Sequence, residues 1–135
     1  MERQKKIVDA SVLVKGFSEE IDSNKTHQLI KDHLKGEISI VIPELTFLEV
    51  TNALKYKKRD EEALKKVSED LFGFQFKVEK VTKSILDKAI ENSLKYNITM
   101  YDSTYIALAQ IHNCQLITAD KELYKIPNVV PLEKI

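Results

Sequence analysis

The segment from residue 101 to residue 112 constrains the fold most, because it predicts a helix that is apolar on nearly all sides. Its apolar residues are Tyr105, Ile106, Leu108, Ala109 and Ile111. Such a helix has no face suited to water and should lie buried in the middle of the fold. Its first turn nevertheless carries a carboxylate, Asp102, and an unpaired buried charge costs several kcal/mol or takes up a proton. Asp102 should therefore face either solvent, where the helix dipole favours it by about 0.3–1 kcal/mol, or a positive group.

Strands and helices are predicted to alternate along the chain. Strands are expected at residues 5–8, 38–42, 76–81, 115–118 and 129–132. Helices are expected at residues 12–17, 26–35, 43–59, 60–72, 83–96 and 101–112, with a short turn of helix at 123–124. The expected helix caps are Ser23 or Asn24, Asp60 and Thr82, and the expected helix ends are Gly36 and Gly73. Strands separated by helices favour an α/β fold, a three-layer α/β/α sandwich with four or five parallel strands.

One connection conflicts with this arrangement. If the strands are parallel, the helix at 83–96 should end at the edge opposite to the one where the helix at 101–112 begins. The few residues between them span at most about 14–18 Å. A strongly tilted helix would resolve the conflict, although no sequence feature predicts one.

The composition limits the class of protein. The 135 residues suit a single domain covering residues 1–135, and 21 basic and 21 acidic side chains leave no net charge to attract nucleic acid or a membrane. Cys114 is the one cysteine, which excludes an internal disulfide framework and suits a reducing compartment. The sequence has no apolar run of about 20 residues and no signal-peptide pattern. We therefore expect a soluble, cytoplasmic protein that does not enter the membrane.

Four carboxylates fall where parallel sheets usually bind ligands, beyond the carboxyl ends of the strands. Asp9 and Asp120 each follow a strand by one or two residues. Asp102 begins a helix that should run back from that edge, and Glu49 lies within the helix after the second strand. Each acid also has an ordinary structural explanation, because helix caps, dipole partners and solvated glutamates are common. The joint context of strand ends and buried helices favours a shared site.

Other candidate sites are weaker. The histidines His27, His33 and His112 lack the spacing of a zinc site, and the three glycines form no phosphate-binding loop. The one basic concentration is Lys55, Lys57, Lys58 and Arg59, followed by Lys65 and Lys66. These side chains could contact RNA phosphates, but a solvated corner between two helices explains them equally well.

Short motifs surround the four carboxylates. They are Val8-Asp9-Ala10-Ser11, Glu49-Val50-Thr51-Asn52-Ala53-Leu54, Tyr101-Asp102-Ser103-Thr104-Tyr105-Ile106-Ala107-Leu108-Ala109 and Leu116-Ile117-Thr118-Ala119-Asp120. In this order, over nearly the whole chain, they resemble the four motifs of the PIN domain family. In chain length and in the residues of these motifs, the sequence most resembles the small stand-alone PIN proteins, which include the VapC toxins of prokaryotic toxin–antitoxin pairs. Ser103 departs from the alanine that is frequent in the family, and this puts nothing important in doubt.

The resemblance implies a metal-dependent ribonuclease that hydrolyses RNA phosphodiester bonds. Its acidic positions correspond here to Asp9, Glu49, Asp102 and Asp120, and its recurrent polar neighbours to Ser11, Asn52 and Thr118. Mg²⁺ or Mn²⁺ would stabilise charge on the phosphate and activate a water, since hard oxygen ligands suit these ions. The resemblance also implies a homodimer and, if the protein is a toxin, a small antitoxin partner. Phe47 and Phe72 support the homodimer, as apolar side chains beyond what one core needs.

Each candidate residue can be given a role. Asp9 and Asp102 are assigned as the main metal ligands. Asp120 would bind directly or through water, and Glu49 would hold a second ion or orient water. Ser11 and Thr118 would hydrogen-bond these ligands. The tyrosines around Asp102, at positions 101 and 105, are interpreted as packing residues rather than base-stacking residues.

Three alternatives stay open at this point. The first is a PIN-fold RNA-processing nuclease that is not a toxin. The second is a PIN-like fold used only for binding, although a binding module has no reason to retain all four acids. The third is a phospho-acceptor receiver domain, which needs adjacent acids after its first strand, whereas Asp9 here stands alone.

Overall fold

The computed structural model describes residues 3–135, and its parallel strands form one sheet. The strands are β1 (Gln4–Val8), β2 (Ile38–Pro43), β3 (Lys77–Glu79), β4 (Gln115–Thr118) and β5 (Val129–Pro131). Their order is β3-β2-β1-β4-β5, so β1 lies at the centre between β2 and β4. In receiver domains the first strand lies between the second and the third. The receiver alternative is therefore excluded.

Helices connect the strands and cover both faces of the sheet. They are α1 (Ala10–Val14), α2 (Ser23–Lys35), α3 (Leu45–Tyr56), α4 (Glu61–Gly73), α5 (Lys83–Tyr96) and α6 (Met100–Ile111). Short 3₁₀ turns lie at Lys15–Phe17, Lys121–Leu123 and Leu132–Lys134. Within residues 3–135, no helix is both long enough and apolar enough to cross a membrane.

The two faces of the sheet carry separate apolar cores, because successive residues of a strand point to opposite faces. One core joins Val8 and Ile117 to residues of α1, α2, α3 and α4. The other joins Ile7 and Leu116 to residues of α5 and α6. The strand interiors are apolar on both sides, as expected for a parallel sheet covered by helices. This arrangement confirms the predicted three-layer sandwich.

α6 is buried along most of its length, as its sequence predicts. All residues from 103 to 109 are buried. Ile111 is 47% exposed, so the prediction that it would be buried is wrong. Tyr101 is 64% exposed and does not pack in the core, contrary to its interpretation as a packing residue. Both side chains lie in the end turns of the helix, where fewer neighbours cover it.

α5 and α6 form an antiparallel hairpin, which resolves the conflict at their connection. The side-chain amides of Asn92 on α5 and Gln110 on α6 exchange hydrogen bonds of 2.8 and 3.1 Å. His112, just after α6, donates from Nε2 to Glu79 Oε1 at the end of β3, at 2.5 Å. α5 therefore starts beside the end of α6, and residues 97–99 suffice to join the two helices. The left-handed conformation of Asn97 (φ 53°) makes the turn, so no strong tilt is needed.

Two predicted caps are confirmed and one is wrong. The side chains of Asp60 and Thr82 accept hydrogen bonds from the third residue beyond them, at 2.8 and 3.3 Å. α2 begins at Ser23 itself, after Asp22 in the left-handed conformation (φ 70°), so neither Ser23 nor Asn24 is its N-cap. The Ser23 hydroxyl instead donates to the Ser18 carbonyl at 2.7 Å, which ties the preceding loop to the helix.

Some element ends also differ from the prediction. Pro43 still pairs with Glu79 as the last residue of β2, so α3 starts only at Leu45, and it ends at Tyr56. β3 has only three residues. Gly73 does not break α4 but is its last residue, and Gln75 makes the following turn with a φ of 56°.

Candidate functional site

The central strands place Asp9 and Asp120 at the carboxyl edge of the sheet. β1 pairs with β4 through Val8 and Ile117. The backbone N–H of Asp9 continues this pairing by donating to the Ile117 carbonyl at 3.3 Å. Asp120 follows two residues after the end of β4, and both acids therefore stand over the middle of the sheet.

Asp9 is a buried carboxylate held by several hydrogen bonds, with 4% of its surface exposed. It caps α1, because its Oδ1 accepts from the Val12 N–H at 3.3 Å. Ser11 Oγ donates to Oδ1 at 2.5 Å, and Thr118 Oγ1 donates to Oδ2. The capping role considered for Asp9 is thus real, but a cap alone needs neither hydroxyl.

The two hydroxyls that contact Asp9 are themselves fixed by the backbone after β4. Ser11 Oγ accepts from the Ala119 N–H and Thr118 Oγ1 accepts from the Asp120 N–H, both at 3.0 Å. A hydroxyl has one proton to give, and each gives it to Asp9. The contact of 3.4 Å between Ser11 Oγ and Thr118 Oγ1 therefore carries no proton. The network is built to present both protons to an ionised Asp9.

Glu49 lies on α3, half-buried, and takes a hydrogen bond from the opposite helical layer. The Tyr105 hydroxyl on α6 donates to Glu49 Oε1 at 2.6 Å. The same hydroxyl lies 2.9 Å from Thr46 Oγ1. Thr46 and Tyr105 are 0% and 1% exposed. Sequence reasoning missed this role for Tyr105, although a buried phenol normally needs a partner for its hydroxyl.

Asp102 and Asp120 are less buried than Asp9. Asp102 is in the first turn of α6, and its backbone N–H donates to Thr99 Oγ1 at 3.0 Å, which caps the helix. Asp120 caps the 3₁₀ turn at Lys121–Leu123, where its Oδ1 accepts from the Glu122 N–H at 3.0 Å. The local roles considered for these two acids, a dipole partner and a cap, are therefore also present.

Asp102 links the four carboxylates electrostatically, because its charge acts on Asp9 and Glu49 and the charge of Asp120 acts on it. Burial raises the pKa of Asp9 to about 6, against hydrogen bonds that lower it, and the charge of Asp102 adds to the rise. Burial and the same charge raise the pKa of Glu49. Burial and then the charge of Asp120 raise the pKa of Asp102. Among residues 3–135, no cationic side chain contributes to any of these three shifts.

Glu122 is a fifth acid near the site that sequence reasoning missed. Its charge raises the pKa of Asp102 further, after burial and the charge of Asp120. Its side chain is exposed. The only sequence signal was its position two residues after Asp120, at the start of a 3₁₀ turn.

The donor set fits a hard divalent cation. All four predicted ligands are carboxylates, and the hydrogen bonds to Glu49 and Asp120 leave one oxygen of each open. Within residues 3–135, no three or more His, Cys, Asp or Glu side chains are close enough as placed to hold a metal ion. The side chains as placed therefore do not converge as closely as the sequence predicts. The charge of Asp102 nevertheless acts on Asp9 and Glu49.

Within residues 3–135, the remaining predicted residues make no hydrogen bond or ion pair with the four acids. Asn52 lies one turn after Glu49 on α3, exposed, and its side chain makes no hydrogen bond to another described residue. In the basic segment, Arg59 donates to the Phe17 carbonyl and to Ser18 Oγ, so it holds a loop. Lys57 pairs with an acid, Glu20, at 3.4 Å, and Lys55 and Lys58 are exposed. Lys57 and Arg59 are therefore held by contacts within the protein, whereas Lys55 and Lys58 fit the solvated-corner explanation.

Comparisons with known proteins agree with this fold. The model of one family, the PIN domain, matches residues 6–129. No curated protein sequence matches the chain.

Several solved structures share the fold. A toxin–antitoxin complex from Klebsiella pneumoniae is 20% identical with a TM-score of 0.72, covering 94% of this chain and 97% of its own. PAE2754 from Pyrobaculum aerophilum is 24% identical with a TM-score of 0.71, and the match covers 97% of this chain and 85% of PAE2754. VapC20 from Mycobacterium tuberculosis, a toxin that cleaves the sarcin-ricin loop, is 15% identical with a TM-score of 0.73. The match covers 92% of this chain and 96% of VapC20.

Proposed function

Because the chain belongs to the PIN domain family, we propose that it is a metal-dependent endoribonuclease with its site at Asp9, Glu49, Asp102 and Asp120. The observation that carries the proposal is the electrostatic coupling of these carboxylates through Asp102, to which no cationic side chain in the described part of the chain contributes. Carboxylates whose pKa is raised by burial and by the charge of a neighbouring acid are unfavourable for the fold alone, and such groups are typical of functional sites.

The roles of the residues follow from their surroundings. Asp9 and Asp102 would hold the ion, Mg²⁺ or Mn²⁺, with Asp120 joining directly or through water. When bound, the ion would stabilise charge on the scissile phosphate and lower the pKa of a bound water. Ser11 and Thr118 would keep Asp9 ionised and oriented through the hydrogen bonds described above. Glu49, on the other helical layer, would orient water or hold a second ion.

RNA cleavage with and without metal tests this proposal. The wild type should cleave single-stranded RNA with Mg²⁺ or Mn²⁺ and stop when a chelator is added. Asp102→Asn should lose activity by at least the 10²-fold typical of removing a group that stabilises transition-state charge. Asp87→Asn, which changes an exposed acid on α5, is the matched control and should stay active. Cleavage that survives both the chelator and Asp102→Asn would contradict the metal mechanism.

The relatives favour a toxin of a VapBC-type pair over a house-keeping nuclease. Two of the similar structures are a toxin–antitoxin complex and a VapC toxin. We therefore propose that the protein acts in the cytoplasm and binds a small antitoxin. Expression alone should arrest growth, and co-expression of a neighbouring small reading frame should relieve the arrest. Growth that is unaffected by an active nuclease would favour the RNA-processing alternative, and RNA binding without cleavage would favour a binding module.

We also propose a homodimer. Phe72 is 65% exposed and stacks on Phe47 with ring centroids 4.4 Å apart, which leaves an aromatic surface on α3 and α4. An exposed aromatic surface of this kind is typical of protein interaction sites. Light scattering that shows a monomer at all concentrations would contradict the homodimer.

A further inference from the structure

Two hydroxyl groups form a buried chain that ends on Glu49. Tyr105 Oη lies 2.6 Å from Glu49 Oε1 and 2.9 Å from Thr46 Oγ1. Thr46 and Tyr105 are almost completely shielded from water, at 0% and 1% exposure. From this geometry we propose that Tyr105 is a positioning residue for Glu49, with Thr46 orienting its hydroxyl. The proposal rests on the proposed function, in which Glu49 belongs to the metal site.

The donor and the acceptor of each of these two hydrogen bonds are fixed. An ionised carboxylate only accepts, so the single proton of the Tyr105 hydroxyl goes to Glu49. Thr46 must then donate its own proton to the Tyr105 oxygen. Because water does not reach these groups, removing the Tyr105 hydroxyl leaves Thr46 Oγ1 buried without its partner, which is costly. Removing the Thr46 hydroxyl leaves the Tyr105 hydroxyl bonded to Glu49 but takes away the donor that orients it. The chain Thr46, Tyr105, Glu49 therefore holds one orientation of the carboxylate and leaves Oε2 open.

The hydrogen bond between Tyr105 and Glu49 does more than fill space in the core. Phenylalanine would fill nearly the same space in this apolar helix, and only the hydroxyl distinguishes the tyrosine. Tyr105 follows Asp102 by three residues, so the two lie one helical turn apart. The charge of Asp102 opposes that of Glu49. The hydrogen bond from Tyr105 therefore ties Glu49 on α3 to the helix that carries Asp102, and it holds the Glu49 carboxylate in place against the charge of Asp102.

Calorimetric titration with Mn²⁺ tests the positioning role. Tyr105→Phe should weaken Mn²⁺ binding by about 10–100-fold, the usual loss when a residue that orients a metal ligand is changed. Tyr101→Phe removes an exposed hydroxyl from the same helix and should bind like the wild type. Thr46→Val should weaken binding, whereas Thr46→Ser keeps a hydroxyl and should restore it. Thermal melts of each variant establish that it is folded.

A double mutant separates positioning from a general structural effect. If Tyr105 acts through Glu49, the variant Glu49→Gln/Tyr105→Phe should bind Mn²⁺ no more weakly than Glu49→Gln alone. The proposal would be overturned if the losses of Mn²⁺ affinity in Glu49→Gln and Tyr105→Phe added in full in the double mutant. It would also be overturned if Tyr105→Phe bound Mn²⁺ like the wild type. A wild type that binds no Mn²⁺ would overturn the metal site and the positioning role together. Wild-type binding that Glu49→Gln weakens but Tyr105→Phe does not would overturn the positioning role alone.

Discussion

At the scale of residues, Asp9 combines burial with an unusually complete set of hydrogen-bond donors. The donors favour the charged form, yet burial outweighs them and raises the pKa to about 6, from an ordinary value of 3.8. A difference of this size corresponds to up to about 3 kcal/mol between the two protonation states. The folded protein therefore bears a penalty for keeping Asp9 ionised at neutral pH.

This penalty predicts an unusual pH dependence for the metal-free protein. Between about pH 4 and pH 6 the native state binds more protons than the unfolded state, so the contribution of Asp9 to stability falls as pH rises. Asp9→Asn should therefore raise the melting temperature at pH 7.5 and have little effect near pH 4. Thermal melts in a chelator at both pH values check this. A variant that melts lower at both would identify Asp9 as a structural cap only.

The sequence predicted the four acids and the two hydroxyl partners of Asp9, Ser11 and Thr118, but not the partner of Glu49. Asp9 and Asp120 could be found because each follows an apolar strand, and strand ends of a parallel sheet meet at one edge. The hydrogen bond between Glu49 and Tyr105 joins residues that are 56 positions apart and lie on two helical layers. No local sequence pattern predicts such a contact. Side-chain distances also depend on repulsion between the acids, which a linear pattern does not contain.

At the scale of elements, the turn between α5 and α6 fixes where Asp102 stands. Thr99 caps α6 by accepting from the Asp102 N–H at 3.0 Å. Periodicity predicted both helices but not their direction, because a helical pattern is the same whichever way the helix runs across a sheet. The direction follows from the short link and from the contact of Glu79 with His112, which are properties of the folded chain.

Removal of this cap should destabilise the protein. Thr99→Ala leaves the first turn of α6 without its side-chain acceptor, and we expect a loss of about 1 kcal/mol in the free energy of unfolding. Thr99→Ser retains the hydroxyl and should lose much less. Urea unfolding of the three proteins measures the difference. Equal stability of Thr99→Ala and the wild type would mean that packing alone sets the start of α6.

At the scale of the whole molecule, a divalent ion should act as a stabilising ligand. It would cancel the repulsion centred on Asp102, and binding to the folded state alone adds roughly 2.7 kcal/mol at a hundredfold excess over the dissociation constant. Mn²⁺ should therefore raise the melting temperature of the wild type, and Asp102→Asn should respond much less. Asp87→Asn should respond like the wild type. A wild type whose melting is unaffected by Mn²⁺ would leave the acidic cluster without a ligand.

The pairing of β1 with β4 also sets the time at which the site can exist. Thr118 and Asp9, which share a hydrogen bond, are 109 residues apart in the chain. A nascent chain that has emerged only as far as α5 contains Asp9 and Glu49 but neither Asp102 nor the strand that completes the edge. Domains synthesised from the N-terminus must wait for such late partners before they close. The acidic site therefore cannot assemble until β4 has been synthesised and has docked beside β1.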